Sequence, residues 1–137
     1  MDTTRKDMTQ AVLEGVAFAL RDSLEIARQL GNTITSSRIC GGGAKSKLWR
    51  KMIANIMNLR LEIVESEEGP ALGAAILAAV GCGAYPEVET AASRIVKVID
   101  TVEPQADLVC KYEKKYQIFR KIYPAVKALY RDGTELV

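Results

Sequence analysis

Ile39-Cys40-Gly41-Gly42-Gly43-Ala44-Lys45-Ser46-Lys47-Leu48-Trp49 is the stretch on which the reading of this chain turns. An apolar run leads in, three consecutive glycines turn the chain, and a helical pattern leads out. Glycine loses more conformational freedom on folding than any other residue, so a run of them needs a reason. Positive φ, or the close approach of a ligand or a second backbone, supplies one. A strand that ends in a glycine turn before a helix presents bare N–H groups to an anion. A tight strand-to-helix connection accounts for the same residues, since most glycines mark turns. From these residues alone both readings stay open.

Upstream, Thr4-Arg5-Lys6-Asp7 forms a capping box with aspartate in the acidic place. A helix follows to about Leu30, with Val12, Val16, Ala19, Leu20, Leu24, Ala27 and Leu30 on one expected apolar stripe and Gly31-Asn32 as its C-terminal cap. Gly15 inside it marks either a close neighbour or a surface position without a role. Ser36–Cys40 reads as a short strand. Ser46 caps the next helix, whose buried stripe is Trp49, Met52, Ile53 and Ile56, ending near Asn58. Leu61–Val64 reads as a second strand. Strand, helix and strand together span roughly the 30 residues of one βαβ unit, so parallel pairing is the default.

Pro70, behind two glutamates, suits the first turn of another helix. Its residues Ala71–Val80 are nearly all small or apolar, which predicts burial on most sides, with Gly73, Ala74 and Ala78 in close contacts. A short helix over Glu87–Ala92, a strand over Ile95–Val102 and a last helix from about Ala106 to Tyr130 complete the chain. Tyr112, Tyr116, Phe119, Tyr123, Val126 and Tyr130 make one aromatic packing stripe there, and Pro124 should kink or divide the helix. The alternation of elements is an α/β pattern.

Composition excludes several classes. The chain has 137 residues, which suggests one domain, and a net charge of +2 without interleaved aromatic and basic residues, which argues against nucleic acid. With no histidine, histidine bases, catalytic triads and most zinc sites fall away. Cys40, Cys82 and Cys110 are far apart and odd in number, so they read as buried reduced thiols of a cytoplasmic protein, with no metal site. The first residues carry no apolar leader, and the longest apolar run is too short for a membrane span of about 20 residues.

The glycine turn fits neither common phosphate signature. A P-loop needs two glycines flanking four residues before Lys-Ser/Thr, and the spacing fails. The dinucleotide pattern lacks its third glycine at Ser46, although Glu62 stands near the distance expected of the acidic residue. Lys45, Lys47, Arg50 and Lys51 crowd the helix start, where cations oppose the macrodipole by a few tenths of a kcal/mol each. A bound phosphate would reverse that opposition, and long solvated side chains would tolerate it.

The segment Gly41–Trp49, followed by Ala71-Leu72-Gly73-Ala74-Ala75-Ile76-Leu77-Ala78-Ala79, closely resembles the C-terminal domain of the FGGY carbohydrate kinases. Ala11–Phe18 and the tyrosine-spaced tail around Tyr112, Tyr116 and Tyr123 are similar to the same family. Within it the pentulose kinases are nearest, with D-xylulose as acceptor. The resemblance implies an actin-like ATPase domain of ribonuclease-H-like fold, with short parallel strands and flanking helices. It also implies ATP and Mg²⁺, and γ-phosphoryl transfer to a sugar hydroxyl. By the same resemblance Gly42 and Gly43 approach the nucleotide phosphates, Ala44 and Ser46 shape the turn, and Lys47 borders the adenosine. Many relatives carry asparagine at that last position.

The resemblance further implies that residues 1–137 are the C-terminal part of the nucleotide-binding domain. The N-terminal sugar-binding domain and the catalytic aspartate lie upstream, so no catalytic residue is assigned, and Asp2 and Asp7 do not match that aspartate. A fragment of this kind is expected to bind ATP weakly if at all, not to turn over, and to associate as a homodimer through exposed apolar surface. Whether Met1 is a true start stays open. The alternatives are a stand-alone nucleotide- or anion-binding module and a purely structural interaction module.

Overall fold

Thr4 opens the first helix by the expected reciprocal cap. Its hydroxyl accepts the Asp7 N–H at 3.3 Å, and the Asp7 carboxylate accepts the Thr4 N–H at 2.8 Å. In the computed structural model, which describes residues 2–133 and side chains through Leu129, this helix is α1, Arg5–Gln29. Met1 and the Tyr130 side chain lie outside the described residues. Gly31, at φ +90°, closes α1: its N–H reaches the Arg28 carbonyl and that of Asn32 reaches Ala27. These are the two bonds of a Schellman cap.

The chain divides into two compact units, where its length suggests one domain. The first comprises residues 1–33, 55–58 and 104–137 and is built on α1 and α5, Ala106–Gly133. Phe18 of α1 meets the rings of Tyr112, Tyr116 and Phe119 at 6.4, 5.9 and 5.2 Å between centroids. The expected stripe of α1 is corrected by this pairing. The buried face is Glu14, Ala17, Phe18, Arg21 and Leu24, while Val12 is 66% exposed and Val16, Leu20 and Leu30 also face outward. The seam turned because α5 offers partners for charge: Lys115 holds Glu14 at 2.8 Å, and Arg21 pairs with Glu113 and lies 4.1 Å over the Tyr116 ring. A buried ion stays charged only when so paired. Tyr123 leaves its predicted stripe and is exposed. Pro124 sits inside α5 without dividing it.

The second unit comprises residues 34–54 and 59–103. Its sheet has the order β1 (Ser36–Ile39), β2 (Arg60–Val64), β3 (Val98–Val102). As the βαβ length predicts, β1 and β2 are parallel, with Ser36 opposite Arg60 and Ile39 opposite Ile63. β3 is antiparallel to β2 and begins later than expected, because Ile95 ends helix α4, Val88–Ile95. Helix α2, Lys47–Met57, connects β1 to β2 and stops at Asn58, whose φ of +45° is the left-handed stop. The buried apolar residues of this unit include Met52, Ile53, Ala54, Leu59, Leu61 and Ile63.

Helix α3, Gly69–Gly81, carries Pro70 in its first turn and packs with α4. The expectation that α3 is buried on most sides is overturned: only Ile76 is buried, and Leu77 is 61% exposed. A side chain at Gly73 would meet nothing, and the same holds at Gly15, so neither glycine marks a close contact. All three cysteines are exposed and free, against the expectation of buried thiols. No helix among the described residues is long and apolar enough to cross a membrane.

Candidate functional site

Parallel pairing sets the geometry of the site. Because Ile39 lies opposite Ile63, β1 and β2 end at the same edge of the sheet. The glycine turn that follows β1 therefore stands beside the loop that follows β2.

Gly41 takes φ +83°, a conformation that favours glycine. Gly42–Lys45 then form a single 3₁₀ turn. The Ala44 N–H bonds back to the Gly41 carbonyl at 3.0 Å, and the Ser46 N–H to Gly43 at 3.2 Å. Gly42 and Gly43 begin this turn, so their N–H groups have no acceptor within it. Ala44 points its methyl inward and is buried, which anchors the turn. Ser46 accepts the Trp49 N–H at 3.3 Å and caps α2 as predicted. Lys47, the first residue of α2, is exposed. The five residues assigned from sequence thus fall within one segment, Gly42–Lys47, that follows β1, with Ala44 buried beneath it.

The glycines have separate reasons. A Cβ on Gly43 would stand 2.2 Å from a carbon of the Trp49 indole, so this position is bare for Trp49. A Cβ on Gly42 would meet nothing, which leaves Gly42 as the open approach to the turn. A second close approach went unread in the sequence: a Cβ on Gly69 would collide with the Cys40 sulfur, so the start of α3 presses against the end of β1. A glycine two residues before a helical run was the only signal for it.

The crowding of cations is partly resolved by partners. Lys45 pairs with Glu67 at 2.6 Å and Arg50 with Asp100 at 3.4 Å. Lys47 and Lys51 have no ion-pair partner among the described residues. Lys45, Arg50, Gly41 and Glu67 line a cleft of about 130 Å³ beside the turn, large enough for a phosphate group. Glu62, the acid of the dinucleotide alternative, is spent on Arg38 across the sheet at 3.5 Å. Among the described residues no group of three or more acidic, cysteine or histidine side chains is placed to hold a metal ion.

A larger groove of about 630 Å³ lies in the first unit, lined by Ile26, Phe119, Tyr123 and Val126 with Asp22 and Arg120. Its acids are already engaged: Tyr116 donates its hydroxyl to Asp22 at 2.5 Å, and Glu25 pairs with Arg28 at 2.9 Å. Burial, then the bond to Asp22, pushes the Tyr116 hydroxyl up to about 12. The Tyr116–Asp22 bond ties α5 to α1, and the Glu25–Arg28 pair lies within α1.

Comparison with known proteins takes in nearly the whole chain, the turn included. The C-terminal domain of the FGGY family of carbohydrate kinases matches residues 1–82. The xylulose kinase of Staphylococcus epidermidis is 38% identical over 129 residues, which are 94% of this chain and 26% of the kinase. The xylulose kinase of Bacillus subtilis is 37% identical over 125 residues, 91% of this chain and 25% of the kinase. The chain therefore spans about a quarter of the length of these relatives. The crystal structure of a xyloylose kinase from Brucella ovis superposes with a TM-score of 0.81 at 37% identity, covering 93% of this chain and 26% of that one. Its architecture carries the actin-like ATPase fold of these sugar kinases onto the strands and helices described above. The match takes in the glycine turn, its capping serine and the start of α3, and on it the chain belongs to the FGGY family of carbohydrate kinases.

Proposed function

We propose that this chain is the C-terminal part of the nucleotide-binding domain of a cytoplasmic xylulokinase-type enzyme. The whole enzyme would transfer the γ-phosphoryl group of ATP to a hydroxyl of D-xylulose, giving xylulose 5-phosphate. The observation that carries this reading is the turn itself: an open Gly42, N–H groups that begin a 3₁₀ turn, and the ion-paired Lys45 at the shared end of two parallel strands. The names of the xylulose kinases it resembles supply the acceptor.

ATP supplies the phosphoryl group; the chain's own residues bind and orient. Backbone N–H groups at Gly42 and Gly43 are suited to phosphate oxygens, with Ala44 and Ser46 fixing the turn. Lys47 stands one residue into α2, where its side chain can border the adenosine. Phosphoryl transfer is largely positioning and charge neutralisation, and this chain provides one side of it. The Mg²⁺ expected with ATP finds no acidic cluster among the described residues, so no step is assigned through it. Asp7 is occupied as the α1 cap and is no general base here. In this reading residues 1–137 alone do not turn over, and the sugar contacts and catalytic aspartate belong to other parts of the enzyme. Exposed Val12, Val16 and Leu20 on α1 support association of the isolated chain into a homodimer.

The test is a chimera in which these residues replace the matching segment of the Bacillus subtilis xylulose kinase. ATP-dependent phosphorylation of D-xylulose by the chimera, with none by the 137-residue chain, is the expected pair of results. Turnover by the chain alone, or a folded but inactive chimera, would overturn the reading.

A further inference from the structure

We infer that Glu67 is an internal counter-ion, which holds Lys45 in the nucleotide-free chain and must release it to a nucleotide phosphate. The inference rests on the reading of the glycine turn as a phosphate site, and adds to it two residues that the motif does not assign. Lys45 closes the 3₁₀ turn, and Glu67 stands in the loop between β2 and α3. Their sequence positions are far apart, and the parallel register of β1 and β2 is what brings them face to face. The ammonium and carboxylate meet at 2.6 Å, and both side chains remain more than half exposed.

A pair this exposed contributes little to folding. It does fix where the only donors of Lys45 point. An ammonium has three donors and no acceptor, so it stays near whatever anion is closest. Glu67 lines the cleft beside the turn, together with Gly41, Ala44 and Lys45. Arg50 lines the same cleft, with Nη1 toward Asp100 and a buried Nε that has no hydrogen-bond partner. The cleft thus holds two cations, each held by an acid of the same unit. An incoming phosphate replaces Glu67 at Lys45, and the freed carboxylate, exposed already, turns to water.

Removing the competing acid should therefore tighten binding, by about the value of the pair. An exposed ion pair of up to roughly 1 kcal/mol corresponds to about a two- to fivefold change in affinity. The experiment titrates the full 137-residue chain with ATP–Mg²⁺, following the fluorescence of Trp49, the single tryptophan. Glu67→Gln should lower the apparent Kd about two- to fivefold, and Lys45→Met should raise it. Glu67→Gln in the Lys45→Met background should change nothing, because the contest for Lys45 is gone. Glu68→Gln removes a neighbouring charge and should leave Kd within about 1.5-fold of wild type, given the weakness of screened surface charges.

If Glu67→Gln binds no tighter than wild type, the inference is overturned while the nucleotide site stands. The same holds if it tightens equally with and without Lys45, which would show a general charge effect. If neither wild type nor any variant responds up to millimolar ATP–Mg²⁺, the nucleotide reading falls and takes the inference with it.

Discussion

Replacing Gly43 by alanine should destabilise the second unit, and replacing Gly42 should not. At Gly43 the new methyl would occupy space now filled by the Trp49 indole, so the ring must swing out or the turn must open. Overpacking of this kind costs typically about 1–3 kcal/mol. Alanine also restricts the unfolded chain, which returns about 0.4–1 kcal/mol. The net loss is about 1–2 kcal/mol, which for a chain of this size lowers Tm by roughly 4–8 °C. At Gly42 the methyl meets nothing and the backbone is outside the left-handed region, so only the unfolded-state gain remains. Thermal unfolding followed by Trp49 emission reads the event at its source. Gly43→Ala should melt earlier and shift the native emission, whereas Gly42→Ala should melt at or slightly above wild type. On the functional reading Gly42→Ala should nonetheless weaken ATP binding. Equal melting of Gly43→Ala and wild type, with unchanged native emission, would refute the packing of Trp49 on Gly43.

Thr4→Ala should cost about 1 kcal/mol through loss of the N-cap. The Thr4 hydrogen bonds hold the Asp7 carboxyl below the usual aspartate range, so its contribution is present above the ordinary value and fades as acid protonates it; far-ultraviolet circular dichroism of Asp7→Asn should show a flatter acid response than wild type. The Tyr116 hydroxyl is raised to about 12 in the folded chain, so its contribution is full below pH 10 and is lost as pH rises toward 12. Stability should fall across that alkaline window in wild type and fall less in Tyr116→Phe, as measured by urea unfolding at each pH. Light scattering should report a particle near twice the 15.0 kDa chain mass, reduced to a monomer by Val16→Glu, and a wild-type monomer at all concentrations would reject self-association.

The parts that were legible in the sequence are those whose cause is local. The Thr4–Asp7 box, the Ser46 cap, the Asn58 stop and Pro70 in a first turn all involve side chains acting on backbone within a few residues. The parallel pair of strands followed from the spacing of one βαβ unit. The seam of α1 did not, because Glu14 and Arg21 are buried only by partners 101 and 92 residues away. Read as charges, they belong outside; read against Lys115 and Glu113, they belong inside. The exposure of α3 was hidden for a related reason. Small apolar residues predict burial only where a neighbour exists, and one side of α3 has Ile76 buried while Leu77 remains exposed. At the site, the run of glycines announced a turn, and only coordinates separate its parts. Gly41 serves the backbone, Gly43 serves Trp49, and Gly42 is left open.

In the proposed enzyme the turn at Gly42–Lys47 faces the nucleotide. That placement is tested most directly by amide chemical-shift mapping of the isotopically labelled chain titrated with ATP–Mg²⁺. Saturable shifts should be largest at Gly42, Gly43, Lys45 and Lys47, with the groove between α1 and α5 unaffected. Saturable shifts confined to that groove, or none at the glycine turn at millimolar ATP, would contradict it.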